Sequence, residues 1–232
     1  MVNYHRTGMS IDRGLVGHWK LDDLKLSGAT KAIDQANFND GTLSNCTDTT
    51  GVNSSSQNAT LFNGTNASIA TTDGSLFKFT NNFAIMCWIR GSFASGSDVQ
   101  PIFGQASYED GEGASFGYSF QLLGEVVGIG TLKFGYNNEI VVAGTSQVPL
   151  TGWHYVGIVL RAGILEFYID GVLDKSSEIG AITQFNAIVP KIGLGTHSSI
   201  NDQYFKGSIS NLRVYNRPIT QGEISKLHRL KL

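Results

Sequence analysis

The sequence predicts an all-β protein: a two-sheet antiparallel β-sandwich of jelly-roll type with one short C-terminal helix. Three observations point there. Apolar runs of strand length recur along the chain, separated by glycine, asparagine and serine. Glycine accounts for 28 of the 232 residues and proline for 4, a bias that suits tight turns better than linkers. Helical spacing occurs in one segment, at the C-terminus, and there is no alternation of strands with helices.

Residues 1 to 13 (MVNYHRTGMSIDR) follow neither period and read as an arm before a domain spanning residues 14 to 232. The arm is either a frayed terminus or a tether that orders on a partner. In GLVGHWKLDD, Leu15, Trp19 and Leu21 fall on one parity and Val16, His18 and Lys20 on the other, the pattern of a half-buried strand. From Asp34 to Asn66 the chain is polar and reads as loops with one or two short strands. Phe83 to Arg90 (FAIMCWIR) is apolar on both parities, as a central strand covered on both faces would be.

GYSFQLLG (117 to 124), TLKFGY (131 to 136) and EIVVAG (139 to 144) are further strands punctuated by glycine or asparagine. His154 to Arg161 and Ile164 to Gly171 flank the link Ala162-Gly163 and form the best hairpin in the chain. Lys206 to Asn216 changes phase between Ile209 and the Leu212/Val214 pair, so it either carries a bulge or is buried on both faces. Thr220 and Glu223 make a capping box, with Ile219 and Ile224 as a hydrophobic staple, so a helix starts at residue 221. Its stripe of Ile224 and Leu227 is expected to cover one edge of the sandwich, and Lys226, Arg229 and Lys231 suit the negative end of its dipole.

Composition excludes several functions. With 17 Lys+Arg against 19 Asp+Glu there is no general field to gather a polyanion, so nucleic acid is not a partner. Two cysteines cannot form a disulfide scaffold or a structural zinc site. Cys87, in an apolar run, reads as a buried free thiol, Cys46 lies in a polar loop, and a bridge between them stays open. No stretch approaches the roughly 20 apolar residues of a membrane span, and Met1 to Arg13 lacks the apolar core of a secretory signal. A virus particle and an extracellular surface are both compatible settings.

Taken in order, six segments resemble the laminin G-like, concanavalin A-like lectin/glucanase jelly roll that includes the pentraxins. They are Gly14 to Asp23, the turn Asn39-Asp40-Gly41-Thr42-Leu43, Ala59 to Thr71, FAIMCWIR, Gly152 to Leu173, and Phe205 to Leu227. The resemblance covers about residues 14 to 230 and implies recognition of a glycan or another cell-surface ligand, often with calcium nearby. Trp19, Trp88 and Trp153 each lie inside an apolar strand pattern and are expected to pack in the core.

Some relatives are glucanases, but retaining glycoside hydrolysis needs two carboxylates about 5 to 5.5 Å apart, and no strand here carries alternating acids. No G-x-S-x-G elbow or metalloprotease-type histidine pair occurs either, so the chain is expected not to be an enzyme. Glu109, Asp110 and Glu112, in a glycine-broken loop, are either calcium ligands or a solvated surface. Tyr108, Tyr118 and Tyr136, with Asn138 and Asp202, lie in or beside glycine-rich breaks and form the expected ligand edge, aromatic faces for sugar rings and polar groups for hydroxyls. Asn45, Asn53, Asn58, Asn63 and Asn66 each begin an N-x-[ST] triplet, which either composition or glycosylation explains.

The expectation is therefore a non-catalytic module that recognises glycan or a cell-surface ligand, with calcium as a candidate cofactor. The alternative is a structural accessory or decoration subunit of a virus particle or other large assembly, self-associating or docking through residues 1 to 13. A glycoside hydrolase is the third and disfavoured reading.

Overall fold

A computed structural model describes residues 11–22, 29–53, 58–91, 99–104, 107–108, 115–126, 128–136, 139–183, 189–195 and 203–231, with backbone alone at 107–108, 115–116, 125–126 and 139–141. In chain order the first strands are β1 (Leu15–Trp19), β2 (Lys31–Ala32), β3 (Gly41–Ser44), β4 (Thr47–Thr50), β5 (Asn58–Asn63), β6 (Ser68–Ala70) and β7 (Asn82–Gly91). There follow β8 (Val99–Gly104), β9 (Ser107–Tyr108), β10 (Ser115–Phe116), β11 (Tyr118–Val126), β12 (Ile129–Tyr136) and β13 (Glu139–Pro149). The last are β14 (His154–Arg161), β15 (Ile164–Ile169), β16 (Val172–Glu178), β17 (Lys191–Ile192), β18 (Leu194–Gly195), β19 (Gln203–Tyr204), β20 (Lys206–Tyr215) and the helix α1 (Gln221–Leu230).

Two large sheets make the sandwich. The first runs β16-β15-β14-β7-β20-β5-β4, with β1 also pairing β20, and the second runs β13-β12-β11-β8-β17-β6-β3-β2. The long ladders are antiparallel. Alternation along β7 explains its position: Phe83, Ile85, Cys87 and Ile89 enter the core between the sheets, while Ala84, Met86 and Trp88 enter a second cluster on the outward side. The run is covered on both faces, as its sequence requires.

That second cluster corrects the expected place of the helix. Ile219, Ile224 and Leu227 pack with Met86, Trp88, Tyr155 and Tyr215, so α1 covers the outward face of the first sheet rather than an edge. The apolar stripe goes where the sheet offers aromatic surface, and each fully buried side chain of this size contributes about 2 kcal/mol. The capping box forms as predicted, with Thr220 Oγ1 accepting from the Glu223 amide and the Glu223 carboxylate accepting from the Thr220 amide.

The turns follow their residues. Ala162 and Gly163 have φ of 49° and 83°, and Asp170 and Gly171 have 51° and 80°, the paired positive values of a type I′ hairpin link. In β20 the register shifts between Ser210 and Arg213, and Asn211 takes a φ of 52°, so the phase change in its sequence is a bulge. A bulge also interrupts β1 between Leu15 and Gly17. It overturns the parity read for that strand, since Val16 packs in the core and Leu15 against the outward cluster.

Cys46 and Cys87 are both free thiols. Among the described residues no helix is long and apolar enough to cross a membrane.

Candidate functional site

The predicted aromatic edge is not assembled by the described residues. Tyr118 is fully buried, with the rings of Phe83, Phe79 and Phe134 at 5.4, 6.1 and 6.2 Å. Its cross-strand partner Tyr136 packs against the same core. Both share a parity with Phe120, Leu122, Leu132 and Phe134 and face inward; Tyr118 offers no ring to a ligand, while Tyr136 is half-buried at the end of its strand. Tyr108 is described only in its backbone, paired with Ser115. Asn138, Asp202, Glu109, Asp110 and Glu112 lie outside the described residues. Among the described residues no three His, Cys, Asp or Glu side chains are grouped to hold a metal.

A different site forms where the first and last strands meet. His18 pairs with Arg213 and Trp19 with Leu212, which sends Trp19 and Leu212 into the core and leaves His18 and Arg213 outside it. Asp12, Leu15, His18, Lys20, Gln35, Ala36 and Arg213 line a cleft of about 490 Å³, within the range of small-ligand sites.

One wall of the cleft is a rigid loop. The buried Asp34 carboxylate accepts from four backbone amides, those of His18 (2.8 Å), Ala36 (2.9 Å), Asn37 (3.2 Å) and Asn39 (3.1 Å). Asn39 Oδ1 accepts from the Thr72 and Asp73 amides and its Nδ2 donates to the Asp73 carbonyl. Trp19 Nε1 donates to the Asn39 carbonyl from inside the core. Two residues beyond Ala36, this framework holds Phe38 at a φ of 58° and 93% exposed. A left-handed aromatic costs about 1 kcal/mol, and the exposed ring recovers nothing by burial.

The floor is electrostatically defined. His18 is pushed down to about 4 by burial and then by the Arg213 and Lys20 charges, so its ring is neutral at physiological pH. Its Nε2 donates to Asn211 Oδ1 at 2.7 Å. Arg213 Nε donates to the same oxygen at 3.3 Å, while its Nη1 makes no hydrogen bond and stands 3.7 Å from Asp12 Oδ1. Trp88 Nε1 and Tyr155 Oη, on the outward side of the same sheet, are also buried without a hydrogen bond.

A family model described as the concanavalin A-like lectin/glucanases superfamily, of laminin G type, matches residues 63–225. The chain belongs to this superfamily. No curated protein sequence matches this laminin G-like chain. Its fold is similar to domain 4 of a GH43 extracellular arabinanase from Geobacillus stearothermophilus, in complex with arabinotriose, at 18% identity and a TM-score of 0.64 over 92% of this chain and 98% of that one. It is similar to a Trypanosoma rangeli sialidase in complex with 2,3-difluorosialic acid, at 17% identity and a TM-score of 0.64, covering 93% of this chain and 33% of the sialidase. It is also similar to botulinum neurotoxin type C, described as entering cells through two ganglioside molecules, at 11% identity and a TM-score of 0.67, covering 97% of this chain and 53% of that one. The laminin G-like chain thus spans about a third of the sialidase and about half of the toxin chain.

In the sequence His18 and Lys20 share a parity of the first strand but have no role, and Arg213 has only a place in the last strand. The usable signal was the phase change at Asn211, since a bulge re-aims the side chains after it. The Phe38 loop had no signal beyond one aromatic in a polar stretch. Tryptophan packing is as expected for Trp19 and Trp88, which are buried; Trp153 is partly buried against the outward cluster beneath the Arg90 guanidinium, 5.1 Å from its ring. Of the triplet asparagines, Asn45, Asn58 and Asn63 donate their Nδ2 to Asn66 O, Asp48 Oδ2 and Asn66 Oδ1. Asn63 builds a local turn, its Oδ1 accepting from the Thr65, Asn66 and Ala67 amides, while Asn45 and Asn58 bond across to neighbouring segments.

Proposed function

We propose that this laminin G-like chain is a non-catalytic recognition module that binds glycan at the cleft beside the Asp34–Asn39 loop. One observation carries the reading: a loop locked by the Asp34 carboxylate lines a cleft of about 490 Å³ with Gln35 and Ala36 and holds Phe38, two residues further on, 93% exposed. An exposed aromatic face stacks on the apolar side of a sugar ring, and the amide, ammonium and guanidinium donors of Gln35, Lys20 and Arg213 suit hydroxyl and ring oxygens. The arabinotriose complex and the ganglioside interaction of fold relatives support the choice of ligand class.

Hydrolysis is not part of the proposal. A glycosidase needs two carboxylates flanking the bond, and among the described residues the cleft is lined by one, Asp12, already facing Arg213. Calcium assistance, through Glu109, Asp110 and Glu112, belongs to the proposal as a separable part. A glycan array with wild type and Phe38→Ala, with calcium and with chelator, tests all of it. Competable binding that Phe38→Ala abolishes supports the reading, and a calcium requirement supports the metal. Uniform silence favours the accessory-subunit alternative, for which deleting residues 1 to 13 should abolish assembly. Turnover of a polysaccharide would overturn the non-catalytic assignment.

A further inference from the structure

Arg213 is the buried cation of the cleft. Its side chain is 7% exposed, whereas Lys20 is exposed. The bulge at Asn211 carries it to the outward side, and Nε is used on Asn211 Oδ1. Nη1 has no hydrogen bond, because the Asp12 carboxylate stops at 3.7 Å, beyond donor-acceptor contact. A buried guanidinium with a donor unspent is costly. Asp12 sits in the turn before β1 with its side chain 63% exposed, so it is the solvent-facing member of the pair.

Charge points the same way. Among the described residues the lining holds two cations, Lys20 and Arg213, against one carboxylate, Asp12. Asp34, behind His18, spends both oxygens on the four amides and does not line the cleft.

We infer that the cleft takes a saccharide bearing a carboxylate, whose oxygens replace Asp12 at the Arg213 guanidinium. The inference rests on the glycan-binding reading above and specifies the class of glycan. The planar guanidinium matches a carboxylate with two parallel N–H···O bonds. Lys20 adds a second cation at the mouth, and the Gln35–Ala36 wall borders the ring. Asp12 is the internal competitor: its carboxylate stands 3.7 Å from Nη1 and must give way to the ligand.

The test is calorimetric titration of the full chain with two matched pairs, sialyllactose against lactose and trigalacturonate against its methyl ester. In at least one pair the acid is expected to bind about tenfold tighter or more, as a charge-assisted contact allows. Asp12→Asn should tighten the acid several-fold and leave the neutral partner unchanged, and Arg213→Lys should erase the preference. Because replacing a buried arginine can unfold the chain, Asp12→Asn and Lys20→Gln, both at exposed side chains, carry the test independently; Lys20→Gln should weaken the acid severalfold more than its neutral partner. Equal binding of acid and neutral members, or an Asp12→Asn variant no tighter than wild type, overturns the carboxylate inference while glycan binding stands. Acetate binding as tightly as the acidic saccharide overturns the saccharide class. Silence towards every glycan overturns both readings together.

Discussion

His18 and Asn211, 193 residues apart in the chain, are joined by a 2.7 Å hydrogen bond from Nε2 to Oδ1. Asn211 owes its position to the β20 bulge and also accepts from Arg213, so one amide oxygen ties the first strand, the last strand and the floor of the cleft together. The clasp is buried beside two cations, which is why the imidazole resists a second proton.

Stability should therefore depend on pH through His18. The unfolded histidine titrates at 6.5 and the folded one at about 4, so between these values the unfolded state binds the extra proton. The contribution is complete above 6.5 and drains away as the pH falls to 4, about 3 kcal/mol in all. Urea unfolding at pH 7 and pH 4.5 should show the loss, and His18→Gln should flatten that part of the profile. An unchanged slope in the variant would refute the assignment.

Glu223 titrates in a lower window. The Arg217 guanidinium and the Thr220 cap hold its carboxylate at about 2 against an ordinary 4.5, so its contribution is present above 4.5 and lost as the pH falls towards 2. Arg217→Met should remove most of that acid-side slope. Thr220→Ala, which deletes the cap acceptor, should cost about 1 kcal/mol at pH 7 by chemical denaturation.

Ala162 sits at φ 49° in the first position of a type I′ link. Asparagine tolerates that conformation better, so Ala162→Asn should stabilise by about 0.5 to 1 kcal/mol, a rise of about 1 to 4 °C in Tm for a chain of this size. A lowered Tm would contradict the turn assignment.

Phe38 and Asp34 should separate recognition from folding. Phe38→Ala removes an exposed ring and should leave Tm unchanged while abolishing glycan binding. Asp34→Ala orphans four amides and should destabilise by about 3 kcal/mol or more.

Neither thiol should react in the folded chain. Burial raises both, Cys46 to about 11 with its Sγ donating to the Ser44 and Ser68 carbonyls. A thiol-exchange reagent at pH 8 should titrate two groups after denaturation and neither rapidly before it. One fast equivalent from the native chain would contradict the environment of Cys46.

Local rules made much of this legible beforehand. The strand periods of 83 to 90 and 154 to 169, the Ala162-Gly163 link, the capping box at Thr220 and the break of phase in the last strand each depend on neighbours a few residues away, and the structure keeps them all. Fold class and helix start were written in that local code. The parity of Leu15 and Val16, the destination of α1 and the inward turn of Tyr118 and Tyr136 were not, because each depends on which distant surface the segment meets. The cleft belongs wholly to that second category. Asp12, His18, Gln35 and Arg213 carry no shared motif, and they converge because β1 pairs with β20 across almost the whole chain while a buried Asp34 pins the loop between them.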